Sequence, residues 1–187
     1  MAPPNHRLVS AAIFLALLIV SPAPAMARAA KHSRLLPPPS SKLVEQVCNG
    51  SAITNRRFCL KALSNPEAAA ATSLNGLTKV ILHLAATNAQ HTLDIINGMI
   101  TSGKTTSPAI KSCAGYYQEV IRSFRMVVGE LTEDPMTANY DVKVVGDFID
   151  YCEKALASGN VHVPRISVGN RFVMNYVWMG FQATNNM

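Results

Sequence analysis

The chain has 187 residues, enough for one ordinary domain. Its formal charge of +6 is modest and suits a polyanionic neighbourhood such as an acidic polysaccharide wall. The basic residues are scattered, as in Arg56-Arg57, Arg122, Arg125, Lys143 and Lys154, without the aromatic-interleaved stripe of a nucleic-acid binder, so no nucleic-acid partner is expected.

Arg7 precedes an apolar run from Leu8 to Val20, followed by Ser21-Pro22-Ala23-Pro24 and Ala25-Met26-Ala27. A basic start, a short apolar core and a small-x-small end make residues 1–27 a signal peptide, too short in its apolar part to span a bilayer. Its removal takes away Arg7 and no acid, so 17 basic residues become 16 against 11 acids, a formal +5. No other stretch is long and apolar enough to span, so no membrane association is expected after cleavage. Residues 28–41 carry Pro37-Pro38-Pro39 and read as an extended proline-rich leader. The folded domain is expected over residues 42–187.

Leu43, Val44 and Val47 have helical spacing behind Ser41 as a cap, and Cys48-Asn49-Gly50 breaks the pattern. A second short helix is expected from about Thr54 to Leu63, with Phe58, Leu60 and Leu63 as its apolar residues. Helices this short are marginal alone, and a bridge between Cys48 and Cys59 would hold them as a hairpin. Asn49-Gly50-Ser51 is a glycosylation sequon beside that turn, which makes Asn49 a candidate acceptor.

Asn65-Pro66-Glu67 combines a cap, a proline at the first helical position and an acid in the first turn. It predicts one long helix over Pro66–Ile100, with Leu74, Leu77, Ile81, Leu84, Ile95 and Met99 on its apolar face and Ala85, Ala89 and Thr92 as small neighbours. His83 and His91 stand eight residues apart, too far for a helical metal pair, and read as polar-face or boundary residues. Ser107-Pro108 repeats the cap-and-proline signal. The helix it opens carries Ile110, Cys113, Tyr117, Val120, Ile121, Phe124, Val127, Val128 and Leu131. Asp134-Pro135 opens the next, with Val142, Val145, Phe148, Ile149, Cys152 and Leu156. Pro164 opens the last, with Ile166, Phe172, Val173, Tyr176 and Val177, and Trp178 reads as a core or rim aromatic.

From Cys113 to Leu131 a helix rises roughly 27 Å, and from Thr137 to Cys152 roughly 23 Å. Antiparallel packing around a short turn therefore brings Cys113 and Cys152 to about the same level. An even cysteine number behind a secretory signal implies disulfides. Four cysteines allow three pairings, and the hairpin argument favours the sequential one. Short, proline-marked connections favour an all-α, antiparallel up-down-up-down four-helix bundle preceded by a disulfide-closed N-terminal helical hairpin.

The chain offers no serine nucleophile elbow, phosphate-binding glycine loop or metal-ligand cluster, and bridges explain its cysteines better than a nucleophile does. Asp147 and Asp150 have the spacing of ordinary acids on a solvated helix face. A binding protein without cofactor or metal is expected, rather than an enzyme. The bulky residues of the apolar stripes argue against a bundle hollow enough to carry a small apolar ligand.

The layout resembles the plant invertase/pectin methylesterase inhibitor family. The residues that carry the likeness are the signal peptide, Cys48…Thr54…Phe58-Cys59-Leu60-x-x-Leu63, Asn65-Pro66, Cys113 followed by Tyr117, Asp147, and Cys152-Glu153 before a closing fourth helix. One departure is visible: ten residues separate Cys48 from Cys59 where eight are expected, which lengthens the hairpin loop. The resemblance implies sequential disulfides, secretion to the apoplast or cell wall, and a monomer that plugs its target's active site in a 1:1 non-covalent complex. The implied target is plant pectin methylesterase, with acid invertase of the cell wall or vacuole as the alternative. Invertase inhibitors of the family use a Pro-Lys-Phe segment between the third and fourth cysteines, where this chain reads Pro135-Met136-Thr137. The resemblance places a target face on Tyr117, Glu119, Asp147, Tyr151 and Lys154. Glu119 and Asp147 supply the acids that esterase inhibitors place beside those cysteines, whereas Gly115, Arg122, Tyr151 and Lys154 depart from the acids or threonine expected there.

Overall fold

The computed structural model describes residues 41–103 and 107–187. The expected signal peptide and nearly all of the proline-rich leader lie outside the described residues. Seven α-helices form among those described: α1 (Lys42–Cys48), α2 (Arg56–Ala62), α3 (Pro66–Ala70), α4 (Leu74–Thr101), α5 (Pro108–Glu133), α6 (Pro135–Ser158) and α7 (Pro164–Asn185). The four long helices pack α4 on α5, α5 on α6, α6 on α7 and α7 back on α4, closing a four-sided antiparallel bundle.

Local chemistry explains most boundaries. The Ser41 hydroxyl accepts from the Val44 N–H at 3.2 Å, and the Asn55 side chain accepts from the Phe58 N–H at 3.0 Å, starting α1 and α2. Asp134 is both the end of α5 and the cap of α6. Its N–H donates to the Glu130 carbonyl at 2.8 Å, while its carboxylate accepts from the Met136 and Thr137 N–H groups, each at 3.1 Å. Those bonds, with the Thr137 backbone contributing most, hold the Asp134 carboxyl below its ordinary range. A single linking residue leaves α6 little choice but to fold straight back along α5. The open end of the same α5–α6 hairpin is closed by Cys113–Cys152, with Cα atoms 4.6 Å apart.

The long helix expected over Pro66–Ile100 is two helices. Asn65 caps α3, accepting from the Ala68 N–H at 2.9 Å, but the chain turns extended at Ala71. Ser73 then caps α4 by accepting from the Gly76 N–H at 3.1 Å. Thr72 and Ser73 are poor interior helix residues, and the Ser73 hydroxyl offers the backbone a second start. The break turns α3 so that Ala68 is fully buried in the core.

The inward face of α4 also differs from the expected stripe. Leu84, Ile95 and Met99 are only half-buried, whereas Leu82, Leu93 and Ile96 are buried beside the expected small residues Ala85, Ala89 and Thr92. Small residues occupy the centre because α7 approaches closely there. A Cβ on Gly169 would lie 2.5 Å from the Thr92 methyl carbon, a distance no side chain tolerates. On α7, Phe172 leaves the core and is 46% exposed, stacking on Phe58 of α2 with ring centroids 5.6 Å apart.

The α1–α2 hairpin is closed by Cys48–Cys59, with Cα atoms 5.6 Å apart. It docks on α7 through Gln182, whose side-chain oxygen accepts from the Ala52 N–H at 3.0 Å. Gly50 makes this contact possible, because a Cβ there would lie 2.0 Å from the Gln182 side chain.

Candidate functional site

The α5–α6 seam gathers most of the expected target residues. Beyond Cys113, Tyr116 of α5 meets Tyr151 of α6, ring centroids 5.7 Å apart. Phe148 meets the same Tyr151 edge-on at 6.3 Å, and the Lys154 ammonium stands 5.6 Å from the Tyr151 ring centre. Tyr151 is 43% exposed, so this aromatic cluster faces solvent while capping the disulfide end of the seam. An ammonium above a half-exposed ring contributes about 0.5–1 kcal/mol and holds both side chains in place.

Glu119 lies one turn beyond Tyr116 on α5, and Asp147 one turn before Tyr151 on α6. Since the helices run antiparallel, both acids fall at the same end of the aromatic cluster. Asp147 is exposed; Glu119 is half-buried and pairs with Arg122 along α5. The face therefore offers a partner two acids, one bound cation, one free-standing cation over a ring, and three aromatic edges.

Tyr117 does not belong to this face. It is fully buried, and its hydroxyl donates to the Asn170 side-chain oxygen of α7 at 2.6 Å. The reason is the helical period: one residue after Tyr116 the side chain has turned by about 100°, from the seam into the core. The Asn170 amide in turn donates to a Glu153 carboxylate oxygen of α6 at 2.7 Å and lies 3.7 Å from the Cys152 sulfur. One buried amide thus ties α5, α6 and α7 together beside the disulfide. Burial pushes the Tyr117 phenol well above its ordinary value; contact with Thr92 opposes the rise and the Glu153 charge adds to it. Sequence reasoning named neither Tyr116 nor Asn170, and read Phe148 only as part of the apolar stripe of its helix; of these, Tyr116 and Phe148 concern the face itself. Tyr116 was within its reach, because pairing Cys113 with Cys152 sets the register that joins Tyr116 to Tyr151.

Asn49 is exposed at the end of α1 and engaged on both sides. Its carbonyl accepts from the Arg56 Nε at 2.6 Å, its amide donates to Glu45 at 3.4 Å, and Arg56 also pairs with Glu45 at 2.9 Å. At the far end of the bundle the Glu130 carboxyl is raised above its ordinary range by desolvation and by the nearby Asp141, Asp134 and Glu133 charges. Among the described residues, no group of His, Cys, Asp and Glu is placed to hold a metal ion. No helix among them is long and apolar enough to cross a membrane.

Two solved structures share this architecture. A mutant form of a pectin methylesterase inhibitor from Arabidopsis superposes with a TM-score of 0.66 at 22% identity, covering 78% of this chain and 97% of that one. A pectin methylesterase inhibitor from Arabidopsis thaliana superposes with a TM-score of 0.56 at 21% identity and the same coverage. At such identities the likeness speaks to the fold alone. No curated protein matches the chain. The family model of the plant invertase/pectin methylesterase inhibitors matches residues 42–180, from the first turn of α1 nearly to the end of α7. This chain, with its two sequential bridges, docked hairpin and closed four-helix bundle, belongs to the plant invertase/pectin methylesterase inhibitor family.

Proposed function

We propose that this protein is a secreted inhibitor of plant pectin methylesterase, acting in the apoplast or cell wall as a monomer that forms a 1:1 non-covalent complex. Family membership supports an inhibitor, not an enzyme. The observation that carries the choice of esterase is the start of α6. Where invertase inhibitors use Pro-Lys-Phe, this chain has Pro135-Met136-Thr137, with Met136 84% exposed and no cation or ring beside it in sequence. A site built around a charged and an aromatic anchor gains little from a methionine and a threonine.

In this reading the α5–α6 face contacts the esterase. Glu119 and Asp147 present charge, and the Tyr116–Phe148–Tyr151 cluster presents flat, partly desolvated surface of the kind that dominates interface energies. Tyr117 supports that face from beneath. Inhibition follows from occupying the substrate cleft, so the inhibitor needs no reactive group.

The test is a parallel titration of the secreted, disulfide-bonded protein against plant pectin methylesterase and cell-wall invertase. Stoichiometric loss of esterase activity with sucrose hydrolysis untouched is expected. Loss of invertase activity alone would overturn the assignment and show that Pro135-Met136-Thr137 serves in place of the usual segment.

A further inference from the structure

A groove of about 570 Å³ runs along the other side of α5, between α4 and α5, away from the α6 seam. Its floor is Leu82, Ala86, Phe124 and Val128, and its rim carries Lys79, His83, Thr87, Gln90, His91, Asp94 and Arg125. A smaller hollow of about 240 Å³ continues it, sharing Gln90 and Arg125 and adding Gln118 and Arg122. From Lys79 to Asp94 the α4 rim extends about 22 Å, the length of several sugar units.

The charges on this rim are not internally neutralised. Arg122 pairs with Glu119, but among the described residues neither Lys79 nor Arg125 makes an ion pair. The one acid on the rim, Asp94, accepts from the Gln90 amide at 2.9 Å and lies at the far end. Unpaired cations spaced along an elongated groove complement a strand that carries negative charge at intervals, not a single compact anion. Thr87, Gln90 and the two histidines add further hydrogen-bonding groups along the rim. Phe124 and Leu82 are both fully buried, so the floor meets solvent chiefly through Ala86 and Val128. It therefore offers no ring for a nucleobase to stack on.

We infer that the α4–α5 groove binds a carboxylate-bearing polysaccharide strand, a short run of uronic acid units, with Lys79 and Arg125 receiving carboxylates. The inference goes beyond the proposed inhibition and deepens it. A pectin methylesterase turns uncharged methyl esters into carboxylates, so the groove would favour the polysaccharide after demethylation over its esterified form. An inhibitor held on such a strand is concentrated where its target has already worked, while the α5–α6 face stays free.

The test uses the full chain, expressed through a secretory host and purified from the medium. Calorimetric titration with a de-esterified oligogalacturonide is compared with the fully methyl-esterified oligomer of equal length, in the absence of any esterase. The charged oligomer is expected to bind, more weakly as salt is raised, and the esterified one is not. The Lys79→Gln/Arg125→Gln variant should lose at least about tenfold in affinity for the charged oligomer, the cost of removing charge-assisted contacts. Both side chains lie on the bundle's surface, and an unchanged melting curve establishes that the variant is folded. The same variant should inhibit its target enzyme as well as wild type does, so groove binding and inhibition fail separately. Absence of binding by the charged oligomer would overturn the inference. So would equal binding of the esterified oligomer, unchanged binding by the folded variant, or equally tight binding of single-stranded DNA of matched charge.

Discussion

Replacing Asn170 with leucine tests whether the buried amide is a structural hub. The side chain sits between Tyr117, at 2.6 Å, and Glu153, at 2.7 Å. Leucine fills a similar volume, so the cost comes chiefly from hydrogen bonding. Losing the amide's two contacts removes about 1–3 kcal/mol, and the buried Tyr117 hydroxyl left without its acceptor adds about 1–3 kcal/mol. Thr92, a second polar neighbour of the phenol, recovers part of that. A net destabilisation of about 2–4 kcal/mol is expected from Asn170→Leu, read from urea unfolding followed by circular dichroism. Tyr117→Phe added on top should restore about 1 kcal/mol or more, because an apolar pair leaves no orphaned hydroxyl. The reasoning is refuted if Asn170→Leu changes stability by less than about 0.5 kcal/mol, or if the two substitutions simply add.

Three further outcomes follow from the same structure. Loss of Cys113–Cys152, which closes a separation of 39 residues, should destabilise by about 3.9 kcal/mol, and loss of Cys48–Cys59, with a separation of 11, by about 2.8 kcal/mol at 25 °C in the chain-entropy account. Equal costs for the paired Cys→Ala variants, measured by denaturant unfolding, would show that native-state contacts outweigh loop closure. Burial raises the phenols of Tyr117 and Tyr176 above their ordinary value of 10.0. The folded state therefore keeps protons the unfolded chain releases, and stability should be intact below pH 10 and fall as pH rises above it. Tyr117→Phe should flatten that decline in pH-dependent thermal melts. The Glu130 carboxyl is raised by desolvation and neighbouring acids, so its contribution is present at acid pH and lost as pH rises past its ordinary 4.5. Glu130→Gln should raise the melting temperature at neutral pH and leave it unchanged at pH 4.

Much of this molecule is legible in one dimension because its punctuation is local. Ser41, Asn65-Pro66, Asp134-Pro135 and Pro164 act on their own backbone within one helical turn, so their meaning survives without knowledge of the rest. The even cysteine set and the lengths between Cys113 and Cys152 place the staple for the same reason: helix rise is a property of the chain alone. Tertiary packing decided the remainder. The break at Ala71–Ser73 is a competition between two starts that burial of Ala68 resolves. The core face of α4 takes in Leu82, Leu93 and Ile96 and leaves Leu84, Ile95 and Met99 half-buried, because α7 presses in close at Gly169 against Thr92, and a periodicity count cannot see a neighbour's missing Cβ. Tyr117 and Tyr116 are adjacent letters with opposite fates, one tied to Asn170 in the core and the other packed at a tilt against the half-exposed Tyr151. The unpaired cations of the α4–α5 groove come from two helices whose side-by-side packing is set by the fold. Propensity, capping and spacing are interactions within a few residues, and the sequence carries them openly. Which faces meet, and which charges are left without a partner, depends on contacts between residues far apart in the chain, and those exist only once the bundle has closed.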